Sequence, residues 1–264
     1  MLLSFDSGVS ALQQFQQQIN VIANNIANVN TVGFKSASVS FADAFSQSLG
    51  STAAGSTQIG TGVITASITN NFAAGAISST GVQTDLAING NGFFMVKDSV
   101  SGSSYVTQDG TFTIDNSGYL VTSGGMRVQG ASGDIQFPTA STSPTMTGYS
   151  IGSDGVIAVR MSDNTTVAPT GGALALQNFT NPGQLVKVGG NLYSAPAAAG
   201  ALATPGKPGS SGLGTIVSGS LEMSNVDLAG QLTSLITTQR AYEANSKVIT
   251  TSDEILQTLV NLKR

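Results

Sequence analysis

The residue types that do chemistry are scarce in this sequence. Histidine and cysteine are absent. That removes the commonest general base, imidazole and thiolate metal sites, disulfides and thiol catalysis. Carboxylates and glycine-rich turns remain. Asp109, Asp115, Asp134, Asp154 and Asp163 mostly sit in turn-like sequences, where an Asp side chain ordinarily closes an Asx turn. Two of them brought together in space could still act as acid and base. Gly90-x-Gly92 opens a dinucleotide-type run, but Met95 occupies the third glycine position and no helical pattern follows, so it reads as a turn. Gly206-Lys207 is followed by Pro208 and lacks an upstream glycine at Ala201, so it is not a phosphate loop. Asn164-Thr165-Thr166 and Asn178-Phe179-Thr180 fit glycosylation acceptors, but no secretory leader accompanies them. The expectation is a chain with no catalytic, cofactor-binding or metal residues, no cofactors and no enzymatic activity.

Composition narrows the class further. Only 9% of the 264 residues are charged, against roughly 25% in an ordinary soluble domain. Neutral polar side chains take their place, while a 40% hydrophobic share is enough for a packed core. A net charge of −4 cannot neutralise a run of phosphates, so no nucleic-acid partner is expected. No Trp and 6% aromatics argue against a base-stacking platform. No apolar run is long enough for membrane insertion. The N-terminal segment MLLSFDSGVSALQQF has neither a basic n-region nor an unbroken apolar core, so it does not read as a cleavable signal.

The ends of the chain follow a helical period. Phe5, Leu12, Ile19 and Ile26 recur every seven residues, with Phe15, Ile22 and Val29 in a second row. At the other end Leu221, Leu228, Leu235, Tyr242, Ile249 and Leu256 keep the same interval, and Leu232 and Leu259 fill part of a neighbouring row. Ser4 and a Ser224-x-x-Asp227 box read as helix starts. Such stripes fit either a helix laid on a domain core or a coiled-coil seam, because periods of 3.5 and 3.6 barely diverge over this length. Their placement at the two extreme termini, on either side of a glycine-rich middle, favours mutual pairing. From Val63 to Ile216 the period becomes two. Leu86–Val96 reads as strand, Asn-Gly-Asn-Gly turn, strand. Asp109-Gly110 reads as a type I′ hairpin turn between Tyr105–Gln108 and Thr111–Ile114. Residues 49–62 read as a flexible arm. The predicted fold is mixed α and β: terminal helices in a coiled-coil layer (1–35 and 221–264), an extended linker arm (36–80) and a central all-β outer domain of antiparallel hairpins (81–220).

One segment is specific. Ile22–Lys35 reads IANNIANVNTVGFK, an amide-rich helix end running into a glycine turn, with Asn24, Asn25, Asn28, Gly33, Phe34 and Lys35 as its marked positions. This word resembles the N-terminal signature of the bacterial flagellar rod and hook proteins. LAINGNGFFMV, YVTQDGTFTIDNSGYLV, IGSDGVI, GGNLYSA and the segment from Ser218 to Arg264 resemble later landmarks of that family in the same order. FADAFSQSL and the ending TTSDEILQTLVNLKR resemble the hook-type member, while the length is closer to the distal rod type. The reading taken from this is a short hook-type subunit, with a distal rod subunit of the basal body as the alternative. The resemblance implies a homopolymer forming a hollow helical tube, which transmits torque and passes exported subunits. It implies export through the flagellar type III apparatus without a cleavable signal. Its other implied neighbours are axial proteins: rod, hook cap and hook–filament junction. The self-assembly seam is then the set of heptad residues above, Val29 aside.

Overall fold

The computed structural model describes residues 2–52, 55–138, 145–200, 205–210 and 212–262. The chain divides into two compact units, one of Met1–Val29, Ser36–Asn71 and Val226–Arg264, the other of Asn30–Lys35 and Phe72–Asn225.

The first unit holds two long helices, α1 (Leu2–Ala27) and α2 (Leu228–Leu262), and strands β1 (Ala37–Asp43), β2 (Ser46–Thr52), β3 (Gly55–Gly60) and β4 (Val63–Asn70). The pairings β1–β4 and β2–β3 are antiparallel. The segment expected as an extended linker arm therefore carries strands, and its residues 36–71 group with the helices. Val63, Ile64, Thr65, Ile68 and Thr69 make β4 rich in β-branched residues, which is strand chemistry rather than arm chemistry. Two helix starts differ from expectation. The first helix already begins at Leu2, so Ser4 lies inside it. The second is capped by Asp227 itself, whose carboxylate accepts the Ala229 N–H at 3.1 Å.

Among the described residues, the second unit is β apart from two short 3₁₀ turns. Its strands are β5 (Ile77–Ser79), β6 (Leu86–Asn89), β7 (Phe93–Lys97), β8 (Ser104–Thr107), β9 (Phe112–Ile114), β10 (Leu120–Thr122), β11 (Arg127–Gly130), β12 (Gly133–Asp134), β13 (Met146–Ile151), β14 (Ile157–Met161), β15 (Thr166–Val167), β16 (Leu176–Gln177), β17 (Val186–Gly189), β18 (Leu192–Ser194), β19 (Thr215–Ser218) and β20 (Ser220–Glu222). The main sheet runs β17-β18-β8-β7-β11-β10-β9, with β12 on β11 and β16 on β7. Successive residues of a strand face opposite sides. Along β7 this sends Phe94 and Val96 into the larger core with Phe112, Leu120, Val128 and Leu176, and sends Phe93 and Met95 into a smaller aromatic cluster with Tyr193 and Phe179. The sheet is thus buried on both faces there.

Two expected hairpins are replaced by long-range pairings. Strands β6 and β7 form, but β6 pairs with β19. Between them Gly90 takes φ +120° and approaches Gly214 so closely that a Cβ would lie 2.8 Å from its Cα. Strand β8 pairs with β7 and β18, and β9 with β10, so Asp109-Gly110 is no hairpin turn. Gly110 keeps a negative-φ backbone and lies against Leu86, whose carbonyl would be 1.7 Å from a Cβ. The turns at Asn116–Gly118, Gly124-Gly125 and Gly152–Gly155 do close antiparallel pairs as expected. Leu221 is the other correction: it lies buried on β20, paired with β5, because α2 begins only at Leu228.

Candidate functional site

The first candidate is the face of each terminal helix. In the helical unit Gly8 lies against Ile249, and Asn25 against Gln231, so α1 and α2 run antiparallel. A Cβ on Gly8 would sit 3.3 Å from the Ile249 side chain, a close approach of the two helices. On α2 the half-buried row is Leu235, Tyr242 and Ile249. Three residues further on comes a polar row: Gln231, Thr238, Asn245 and Ser252, all buried or half-buried. These side chains are satisfied largely within their own helix. Thr238 Oγ1 donates to Ser234 O at 2.7 Å, Asn245 Nδ2 to Ala241 O at 3.1 Å, and Ser252 Oγ to Val248 O at 2.7 Å. Leu232 stands one position off this row and is 44% exposed; Leu228, Ile236, Val248, Ile255 and Leu256 are exposed as well. The Leu259 side chain lies outside the described residues.

Helix α1 packs on α2 and on the β1–β4 pair. Ile22 is buried; Leu12, Phe15, Ile19 and Ile26 are half-buried; Phe5 is exposed. Phe15 meets Phe41 of β1 edge-to-face at 6.4 Å. The Thr65 hydroxyl of β4 reaches the Gln14 and Gln17 amides.

The marked positions of IANNIANVNTVGFK divide between structural tasks. Asn28 Nδ2 donates to the Asn24 carbonyl at 2.9 Å and to its side chain at 2.7 Å, closing the end of α1. Asn25 is 1% exposed. Its Nδ2 donates to Ala37 O at 2.8 Å and to Gln231 Oε1 at 3.1 Å, and its Oδ1 accepts from Ala37 N at 3.0 Å. Within the β unit, Gly33 has φ +66°, and a Cβ there would lie 2.7 Å from Asp109 N, so only glycine fits. Its N–H donates to Glu222 O at 2.8 Å. Lys187 Nζ lies 4.4 Å above the Phe34 ring and donates to Lys35 O at 3.0 Å. Burial lowers the Lys187 pKa.

Lys35 is fully buried and forms an ion pair with Glu222 at 2.6 Å. Its ammonium also donates to Ala73 O at 2.9 Å, and the same Glu222 oxygen accepts the Gly75 N–H at 2.7 Å. Each charge is therefore both paired and hydrogen-bonded, the condition for ions in a protein interior. Glu222 and Gln231 escaped the sequence reading. Glu222 had a signal, as the lone acid in the strand SLEMS of a charge-poor chain. Gln231 had none, since it stands among many uncharged amides.

Among the described residues, the turn carboxylates are taken up by local contacts. Asp115, Asp154, Asp163 and Asp109 each accept the backbone N–H two residues on, as Asx turns do. Asp134 departs from that pattern, bonding Arg127 at 3.1 Å and Gln129 at 2.7 Å. It lines a surface hollow of about 260 Å³ with Lys97, Asp98 and Arg127. Hydrogen bonds lower the pKa of Asp98, from Val100 N–H foremost, and of Asp134, from the Gln129 amide foremost. Both are thus ionised at neutral pH, the wrong state for a general acid. Among the described residues no group of acids could hold a metal ion, and no helix is long and apolar enough to cross a membrane.

Comparison with known proteins gives the following. Residues 5–35 match the family described as "Flagella basal body rod protein", 87–159 match "Flagellar hook protein FlgE/F/G D1 domain", and 217–262 match "Flagellar basal body rod FlgEFG protein C-terminal". The flagellar basal-body rod protein FlgG of Bacillus subtilis is 44% identical, covering 100% of both chains. That of Borreliella burgdorferi is 36% identical, again over 100% of both. The flagellar hook protein FlgE of Treponema pallidum is 44% identical over 49% of this chain and 30% of its own.

Proposed function

This chain belongs to the flagellar rod and hook protein family, structural components of the flagellar axis and not enzymes, and on that premise we propose that it is a subunit of the distal rod of the basal body. The observation that carries this reading is length. The rod relatives align from end to end, whereas the hook relative does so over 30% of its chain. The hook-like stretches at 41–49 and at the C-terminus fall inside those end-to-end rod alignments, so they do not separate the two. The alternative of the sequence reading thus has more support than its main choice.

Copies of the chain polymerise into a hollow helical tube, with the α1–α2 pair as a coiled-coil layer and other axial proteins as neighbours. Delivery is by the flagellar export apparatus. What supports the polymer reading is the helical unit itself: one face of α2 packs on α1 while Leu228, Leu232, Ile236 and Ile255 remain exposed to solvent. A lone helix with one apolar seam draws most of its stability from partners.

The test is Ile19→Asp and Leu235→Asp, each expressed in cells lacking the native subunit. A carboxylate in that seam costs several kcal/mol, on the order set by unpaired buried charge. Both variants should be secreted as monomer yet fail to polymerise, and swimming should be lost. Normal assembly of both would sink the reading. Labelled wild-type chain within the cell envelope supports the rod; label in the curved segment outside it supports the hook.

A further inference from the structure

Asn25 is an unusual residue to bury. It lies on α1, yet its amide touches the first residue of β1 and the first turn of α2. Toward β1 it reads the Ala37 backbone at two points, accepting its N–H and donating to its carbonyl. Toward α2 the second Nδ2 hydrogen goes to Gln231 Oε1. Both amide hydrogens are used, so any axial shift of α2 strands one donor in a site that water does not reach, at the cost of a buried unpaired polar group. The rest of the helix contact has no such preference. The row Leu235, Tyr242, Ile249 repeats every seven residues and continues at Leu256, while Thr238, Asn245 and Ser252 bond within α2 and ask nothing of α1. A slip by one heptad, about 10.5 Å, brings the same types of side chain opposite one another.

We propose that the Asn25–Gln231 contact is the specificity determinant of helix register: it selects one axial alignment of α2 on α1 from those that the repeating seam would accept. A single polar residue in an otherwise repetitive seam is known to fix register in this way, at some cost in stability. The inference builds on the reading of this helix pair as the assembly element, but its test does not need assembly.

The chain has no cysteine, so introduced pairs report register directly. Gly8→Cys/Ile249→Cys marks the observed alignment and Gly8→Cys/Leu256→Cys the alignment slipped by one heptad. Each pair is placed in the parent chain, in Gln231→Met and in Gln231→Glu, and intramolecular disulfides in dilute chain are scored by mass spectrometry. In the parent the 8–249 bridge should exceed the 8–256 bridge at least tenfold. Gln231→Met should bring the ratio toward one, with some loss of thermal stability because one Asn25 donor is left unpaired. Gln231→Glu, which keeps an oxygen for Asn25 Nδ2, should preserve the parent ratio. If Gln231→Met unfolds the pair, Gln231→Ala, which removes the acceptor without adding bulk, must show the same collapse of the ratio. Equal ratios in parent and Gln231→Met, high or low, overturn the proposal. Failure of the parent chain to polymerise would instead defeat the assembly reading and leave the ratios standing.

Discussion

In the β unit Phe94, Phe112, Leu120 and Val128 are almost wholly removed from water, whereas along α2 Leu232 and Ile236 remain 44% and 58% exposed. Both regions are built from ordinary aliphatic and aromatic residues. The difference lies in completion. The sheet around β7 buries both its faces within its own unit, so its apolar side chains contribute their full transfer free energy to the fold of one chain. Helix α2 packs one side on α1 and leaves apolar side chains on its others, the pattern of an interaction surface. Around β7 the apolar side chains are covered; along α2 several stay open to solvent. Substitutions in the two should therefore report on different things.

The largest effect should come from the β core. Phe94→Ala should cost about 3–5 kcal/mol, the range for emptying an aromatic site, and lower the melting temperature sharply. Ile236→Ala should change the stability of the free chain by no more than about 0.5 kcal/mol and yet weaken polymerisation. If instead both variants lower the melting temperature alike, the contrast between the units is broken. Lys35→Met comes next. It strands a buried carboxylate and should cost about 3 kcal/mol in urea unfolding. The double variant Lys35→Met/Glu222→Leu should recover most of that loss, because the uncompensated charge goes with it. Gly33→Ala should cost about 1–3 kcal/mol for a strained left-handed backbone, with its added Cβ crowding Asp109.

A pH titration sharpens the comparison further. Burial pushes the Tyr193 phenol above its ordinary value of 10.0. Above that pH an unfolded chain releases the proton while the folded β unit retains it, so stability falls as pH rises past about 10. Circular dichroism should show strand signal lost first on that side, and Tyr193→Phe should blunt the loss. The smallest effect is expected of Asp154→Asn, since Asn makes the same turn contact; stability and swimming should stay within about 0.5 kcal/mol and wild-type range respectively.

Local pattern carried much of this architecture in the sequence. Heptad spacing marked both helices, and alternation with turn residues marked β6 to β11, β13 and β14, because each signal depends on neighbours a few positions apart. What stayed hidden were pairings across the chain. Nothing near Leu86 says that β6 will take β19, or near Asp109 that β8 will pass to β18, since strand partners are chosen by burial over long separations. Leu221 kept the heptad count by coincidence and belongs to a strand. On α2 the neighbouring row was sought among leucines, at Leu232, whereas the row facing inward is Gln231, Thr238, Asn245 and Ser252. Amides and hydroxyls able to bond their own helix can occupy a seam, and no hydropathy pattern finds them.

The pairing of Lys35 with Glu222 joins positions 187 residues apart, and β5 and β6 likewise wait for β20 and β19. Expressed in time, a ribosome adding 5–20 residues per second needs roughly 10–40 s to supply the second partner after the first. Throughout that interval the buried lysine has no counter-charge and the early strands have unpaired edges. The β unit cannot close as it emerges; it closes only when nearly all the chain has been made. Its high contact order also makes the closing step slow. Until Glu222 has been made, the β unit is thus held open by its own topology.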